Sequence, residues 1–314
     1  MFVYDINTKK ISDSFEFIKE GPGAPGKVLG FTVIDNEKMA LSSGMKPYSL
    51  IINHDNQVLD TLDYAINGIQ QQEGYLRQGA RDYVDFAFGQ EKHFFIQRPF
   101  YRGRVNRPAT VDHNPIIVHD VAEKTNRLHP FKFPKDHWEK GLESKMTFNH
   151  DEEHLYFSLT ASHDLYRINR QTEKVDIFKI KSKYAPDDMP SQLEMAGPVD
   201  VMIYDASNVR YTATLPDPYR KMVYRVATLP PSDMSIAKKK YNQLHMYPDR
   251  FSLIICNEKM EVIGEHTFPE RTYFPHGVFV SRDGIHVPAT HPEYLVANGV
   301  EDSVRYDVFI PTVK

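Results

Sequence analysis

The strongest constraint on this chain is a hairpin that recurs along it. "FVYDINTKKISDSFEFI" (from Phe2), "YSLIINHDNQVLDTLDY" (from Tyr48), "PIIVHDVAEKTNRLHPFKF" (from Pro115), "DLYRINRQTEKVDIFKI" (from Asp164) and "FSLIICNEKMEVIGEHTF" (from Phe251) share one plan. A short apolar strand meets Asn, Asp or His, a polar turn follows, and a second strand rich in aliphatic and aromatic residues returns. Such turn side chains bond the local backbone or tolerate left-handed conformations, so they close hairpins at little cost. A second kind of hairpin precedes each unit after the first: "GFTVIDNEKMALSS", "YVDFAFGQEKHFFIQ", "MTFNHDEEHLYFSLT", "RYTATLPDPYRKMVYRVA" and "GVFVSRDGIHVPAT". Four strands per unit, at a spacing of roughly 50 residues, read as blades of a β-propeller.

The expected fold is therefore all-β: a six-bladed β-propeller of four-stranded antiparallel blades, in a single domain over 1–314. The blades are placed at 1–19 (partial), 28–65, 82–134, 145–181, 208–269 and 276–314. Met1 enters at the third strand of the first blade, and "VRYDVFIPTV" (from Val304) is the third strand of the last. The first blade is thus expected to be incomplete, with its N-terminal strands missing. An open ring would otherwise leave unpaired strand edges.

Composition agrees. Aromatics make up 12% of the 314 residues, with 18 Tyr and 19 Phe, and flat rings favour pleated surfaces. The formal net charge of -4 lacks the basic excess of a nucleic-acid binder. The one cysteine, Cys256, excludes an internal disulfide or a cysteine-built zinc site, and its apolar strand "SLIICNE" predicts a buried thiol. No apolar run approaches the roughly 20 residues of a membrane-spanning helix. The opening "MFVYDINTKK" reads as strand and turn rather than as a signal peptide.

Several motifs imitate chemistry. "GPGAPGK" (21–27) has P-loop spacing, but Pro22 and Pro25 lack the backbone N–H groups that such a loop uses, and Val28 stands where Ser or Thr would meet magnesium. "HDEEH" (150–154) has Asp151 where a zinc protease needs Glu, and its flanks are strand-like, so it reads as a turn. "KKK" (238–240) reads as a solvated loop face. "PDPYRK" (Asp217 to Arg220 within it) reads as a structural turn, and His286 as structural. Arg225, inside the strand "MVYRVA", points either to an inter-blade carboxylate or into a central channel.

"YRINRQTEKVDIFKIKSKY", "LPDPYRKMVYRVATLP", "FSLIICNEKMEVIGEHTFPERTYFPHGVFVSRDGIHV" and the opening "VYDINTKKISDSFEFIKEGPGAPGKVLGF" resemble a bacterial family known as domain of unknown function 4221, six-bladed propeller lipoproteins. The resemblance implies a cell-envelope protein, periplasmic or outer-membrane anchored through a lipid-bearing cysteine near the N-terminus of the precursor. Neither that cysteine nor a signal is seen here, in keeping with the missing front strands. The family has no known activity, so the resemblance supplies no catalytic residues.

In a propeller, the strand-two-to-three and blade-to-blade connections share one rim. That rim is expected to collect Arg98, Tyr101, Arg102, His113, His163, Arg271, Tyr273, His276 and His291, with an insertion at 230–249. Guanidinium forks pair with carboxylate, sulfate or phosphate, and rings stack on sugars. With no recognisable catalytic set, the expected function is a non-catalytic ligand- or partner-binding protein of the cell envelope. The ligand would be a small molecule, a glycan or a protein. Docking of a partner through the 230–249 loop is one form of this. The alternative is a metal-assisted hydrolase or lyase on a lactone or sugar. A divalent cation would then lie over the central channel, with Asp82, Asp164 and Asp200 as candidate oxygens; no cofactor is assigned.

Overall fold

The computed structural model describes residues 2–5, 8, 10–14, 28–35, 37–43, 48–63, 86–96, 114–142, 145–192, 195, 197–300 and 304–312. The "GPGAPGK" segment and Asp82 lie outside these residues, as do Arg98, Tyr101, Arg102 and His113. The chain divides into two compact units, one holding Met1–Ala80, Val84–Val105 and Asn114–Phe131, the other holding chiefly Lys132–Lys314.

The first unit carries a two-stranded ladder, β1 (Phe2–Asp5) with β2 (Lys10–Ser14), and two four-stranded antiparallel blades. One blade is β3 (Val28–Val33), β4 (Lys38–Ser43), β5 (Tyr48–Asn53) and β6 (Val58–Asp63). The other is β7 (Phe86–Ala87), β8 (Lys92–Ile96), β9 (Ile116–Asp120) and β10 (Thr125–Leu128). Leu62, Phe95 and Ile117 form the apolar seam between these two blades.

The second unit carries three blades: β11 (Met146–His150) to β14 (Val175–Lys179) through β12 (His154–Leu159) and β13 (Asp164–Asn169); β15 (Arg210–Asp217), β16 (Met222–Leu229), β17 (Arg250–Cys256) and β18 (Val262–Thr267); and a three-stranded blade of β19 (Phe279–Ser281), β20 (Gly284–Pro288) and β21 (Tyr306–Phe309).

Among the described residues the fold is thus a β-propeller of five blades with three or four antiparallel strands, which corrects the expected six blades of four. Among the described residues the segment placed as a partial first blade pairs only with itself, as β1 and β2. A lone hairpin and the outer half of a blade share one sequence signature, so counting hairpins overcounted blades.

Blades bury both faces, and β16 shows how. Its odd residues Val223, Ala227 and Leu229 pack with Tyr156, Leu165, Ile180 and Tyr211 toward the preceding blade. Its even residues Tyr224 and Val226 pack with Phe251, Phe268, Ile285 and Val287 toward the next. Successive strand residues point to opposite faces, so a strand between two seams must be apolar on both. Each such side chain contributes about 1.5–3 kcal/mol on burial.

Arg225 occupies the odd face, fully buried. Nη1 donates to the carbonyls of His163 (2.8 Å) and Ile180 (2.5 Å), and Nη2 to those of Ser162 (2.7 Å) and Asp164 (3.3 Å). The guanidinium lies 3.6 Å over the Tyr211 ring. It makes no ion pair among the described residues, so its partners across the seam are backbone carbonyls rather than the carboxylate or the channel that the sequence left open. Burial pulls its pKa down to about 10, with Tyr211 acting in the other direction, and it remains charged at neutral pH.

The outer hairpins share one turn chemistry. Asn53 Oδ1 accepts from Asp55 and Gln57 N–H (3.0 and 2.9 Å), Asn169 Oδ1 from Gln171 and Thr172 (3.1 and 2.8 Å), and Asn257 Oδ1 from Lys259 and Glu261 (3.0 and 2.9 Å). Asp120 Oδ1 accepts from Glu123 (2.9 Å). Each turn then places one non-glycine residue at positive φ: Asn56 (60°), Lys124 (51°), Glu173 (60°) and Met260 (65°). The side-chain bonds hold a backbone conformation that L-residues otherwise avoid. Asn169→Ala is expected to lower stability by about 1 kcal/mol, read from urea denaturation. An unchanged midpoint would show that the turn forms without its asparagine.

Candidate functional site

Within a blade the chain enters, makes its strand-two-to-three connection and leaves at one end, while both tight hairpins turn at the other. Among the described residues of the second unit five helices occur, and all lie in connections of the first kind. They are α1 (Lys135–Glu139) before β11, α2 (Pro198–Ser207) between β14 and β15, α3 (Ser235–Lys239) and α4 (Tyr241–Met246) between β16 and β17, and α5 (Pro292–Asn298) between β20 and β21. The 230–249 insertion thus folds as α3 and α4, whose Ala237 and Leu244 pack with Ala206 of α2.

Asp205 of α2 anchors this layer. Its side chain is buried, and Oδ2 lies 2.9 Å from Arg210 Nη1, 2.9 Å from His245 Nδ1 and 3.5 Å from Lys145 Nζ. Three cationic or protonatable groups from separate segments thus meet one carboxylate.

A second cluster forms around Asp249, which is 4% exposed at its side chain. Arg271 Nε donates to Asp249 Oδ2 at 2.9 Å, and the Arg271 N–H donates to the Asp249 carbonyl at 2.8 Å. Nη1 of Arg271 lies 3.3 Å from Glu293 Oε2, and Lys240 Nζ lies 3.6 Å from Glu293 Oε1. The bond to Asp249 raises the Arg271 pKa. His291 caps α5: its Nδ1 accepts from the Glu293 N–H at 3.3 Å, so its Nε2 carries the proton and faces Asp249 Oδ1 at 3.7 Å, beyond hydrogen-bond length. Its side chain is wholly buried, and burial pushes its pKa down, although Asp249 and Glu293 pull upward.

Of the expected rim residues, Arg271 and His291 therefore meet at Asp249. Tyr273 lies apart, donating to Asp307 Oδ2 at 2.7 Å, while Arg305 Nε donates to Asp307 Oδ1 at 2.8 Å. His276 packs edge-on against Phe274 at 4.9 Å. His163 bonds Tyr211 and Pro186. Asp249, Glu293, Asp205 and His245 were not singled out in the sequence. Asp249 sits in "YPDRF", where a Pro–Asp pair reads only as a turn, and topology alone brings the others together.

The imitating motifs resolve as structure. Asp151 closes the β11–β12 turn, accepting from the Glu153 and His154 N–H groups (2.9 and 2.7 Å) and from the Tyr156 hydroxyl (2.8 Å). Asp217 does the same in "PDPYRK" for Tyr219, Arg220 and Tyr224 (3.0, 3.0 and 2.8 Å). His286 bonds the Ser281 hydroxyl at 2.8 Å and stacks on Phe279 at 4.4 Å. Burial pushes the Cys256 thiol up to about 12, which makes it inert. Asp200 accepts from the Gly197 N–H at 3.0 Å, capping α2. Among the described residues no group of three or more His, Cys, Asp or Glu could hold a metal ion.

The rim charges are thus largely balanced against one another. Arg271→Gln is expected to cost about 1–2 kcal/mol, because it strips a buried carboxylate of its nearest cation while Arg271 itself is partly solvated. Asp249→Asn in the same chain should recover part of that loss, as a double-mutant cycle would read. Strictly additive effects would mean that the pair is not coupled.

A member of the DUF4221 family from Bacteroides vulgatus has a crystal structure that aligns at TM-score 0.70, with 18% identity over 93% of this chain and 81% of that one. A candidate exported protein from Bacteroides fragilis aligns at TM-score 0.51, with 10% identity over 95% and 76%. Virginiamycin B lyase from Staphylococcus aureus aligns at TM-score 0.41, with 11% identity over 86% and 64%, too distant for its chemistry to be carried across. No protein of curated function matches the sequence. The model of Domain of unknown function (DUF4221) matches residues 1–267, and the chain belongs to that family.

Proposed function

We propose that this chain is a non-catalytic ligand- or partner-binding protein of the cell envelope, acting through the helix-bearing rim of its second unit. The observation that supports this reading is the placement of the helices. Among the described residues of that unit all five helices lie in the connections of one end, while the opposite end has short hairpin turns. Elaboration of one rim is what a binding face requires, since function concentrates in loops held by a rigid scaffold.

The chemistry of the rim fits binding better than turnover. Among the described residues its ionisable side chains largely pair with one another, while the charge of Arg271 stays partly open to solvent. The helices also present large apolar side chains: Val199 on α2, Met234 at the start of α3, Met246 on α4 and Val296 on α5 are exposed. Lys238 and Lys239 stand exposed beside them. Methionine adapts its shape to a partner, which suits a binding surface. An envelope location rests on the resemblance to envelope lipoproteins and on the likeness to a candidate exported protein.

The test is capture from an envelope extract, together with an acidic glycan panel, by the purified chain. Met234→Ser with Met246→Ser and Val296→Ser should weaken binding about tenfold or more. Tyr219→Ser, at an exposed hairpin turn, should leave it unchanged. Binding that survives the rim substitutions and fails with Tyr219→Ser would move the site to the other end. Chelator-sensitive turnover of a lactone or sugar would overturn the reading in favour of an enzyme.

A further inference from the structure

We propose that His163 makes the seam between the β11–β14 and β15–β18 blades acid-sensitive, as a neutral histidine locked into a directional hydrogen-bond chain beside Arg225. The chain runs one way. The Ser182 N–H donates to the Tyr211 oxygen at 3.1 Å. The Tyr211 hydroxyl, 2.8 Å from His163 Nδ1, donates its own proton there, and His163 Nε2–H donates to the Pro186 carbonyl at 3.0 Å. This order fixes the neutral tautomer. It joins the turn after β12, the connection after β14 and the first strand of the next blade.

Protonation breaks the order. An N–H on Nδ1 would face the Tyr211 proton, so the hydroxyl would have to turn its hydrogen away from its acceptor in a buried setting. The added charge would also stand beside the guanidinium of Arg225, which bonds the His163 carbonyl and covers the Tyr211 ring. Lys179 and Lys181 act on the ring with the same sign. The opposing charges are Asp187, which is exposed and pairs with Lys181, Asp164 in the same turn, and Glu265, which accepts from the Ser182 hydroxyl at 2.6 Å. Burial, then Arg225 and the two lysines, hold the ring below the ordinary histidine range, and the Pro186 bond opposes them only in part. The sign follows: the unfolded or opened chain takes up a proton near pH 6.5 while the closed seam resists it. Seam stability is full above that pH and falls as the pH drops toward the lowered value.

The experiment uses the full chain, with amide-exchange protection measured at about pH 5 and about pH 7.5 and corrected for intrinsic rates. Segments 160–164 and 180–186 should lose protection about tenfold or more in acid relative to the β19–β21 blade. His163→Gln keeps one donor and one acceptor without titrating, and should abolish that difference. Ring titration by NMR gives an independent readout: His163 should titrate low in the wild type and move upward in Tyr211→Phe. A ring that titrates at the ordinary histidine value, or an equal acid loss in His163→Gln, would overturn the proposal. The wild-type titration decides the matter even where the glutamine variant does not fold.

Discussion

A buried guanidinium that has no ion-pair partner among the described residues ties two blades of the second unit together across their seam. Moving a guanidinium out of water costs several kcal/mol, and a seam of Val, Ile and Leu could have been built there instead. Arg225 offsets that cost with four bonds to carbonyls, on the turn after β12 and on Ile180 after β14. Hydrogen bonds to a charged group contribute about 1.5–3 kcal/mol each. The Tyr211 ring beneath adds a cation–π contact. What the arginine adds over an apolar residue is register. A slip of one residue along β16 would carry it to the opposite seam and break all four of these bonds.

That fixed point sets the geometry at the rim. Arg225 holds the Ser162–Asp164 turn, and Tyr211 holds His163 and Ser182. Glu265 then accepts from the Ser182 and Ser252 hydroxyls and from the Lys183 N–H, at 2.6, 2.6 and 2.8 Å. The chain leaves this anchored stretch to form α2, whose Asp205 gathers α4 through His245. The helical layer is therefore tied to the blades by buried polar contacts, while Val199, Met234, Met246 and Val296 stay exposed on it.

Much of this was legible in the sequence. Strand positions followed from alternation and from Asx turns, because Asn53, Asp120, Asn169 and Asn257 mark their hairpins by local chemistry. The "PDPYRK" turn, the structural role of His286 and the buried Cys256 were legible for the same reason. The blade count was not, since a hairpin looks the same whether or not two more strands join it. Arg225 showed as an anomaly whose partners could not be named, because backbone carbonyls leave no mark in a sequence. The Asp249 cluster was half visible: Arg271 and His291 fell on the expected rim, but Asp249 looked like a turn residue and Glu293 carried no signal. Tyr273 bonds Asp307 instead, and His276 packs against Phe274.

The most direct measurement is the stability of Arg225→Met, set beside Arg225→Lys, by urea denaturation. Methionine keeps the bulk and removes the charge and the donors; lysine keeps the charge but cannot span four carbonyls. The account predicts a loss of about 3 kcal/mol or more for methionine, a smaller loss for lysine, and amide exchange rising first at the turn after β12. A methionine variant as stable as the wild type, or more so, would show that the seam is held by its apolar residues alone.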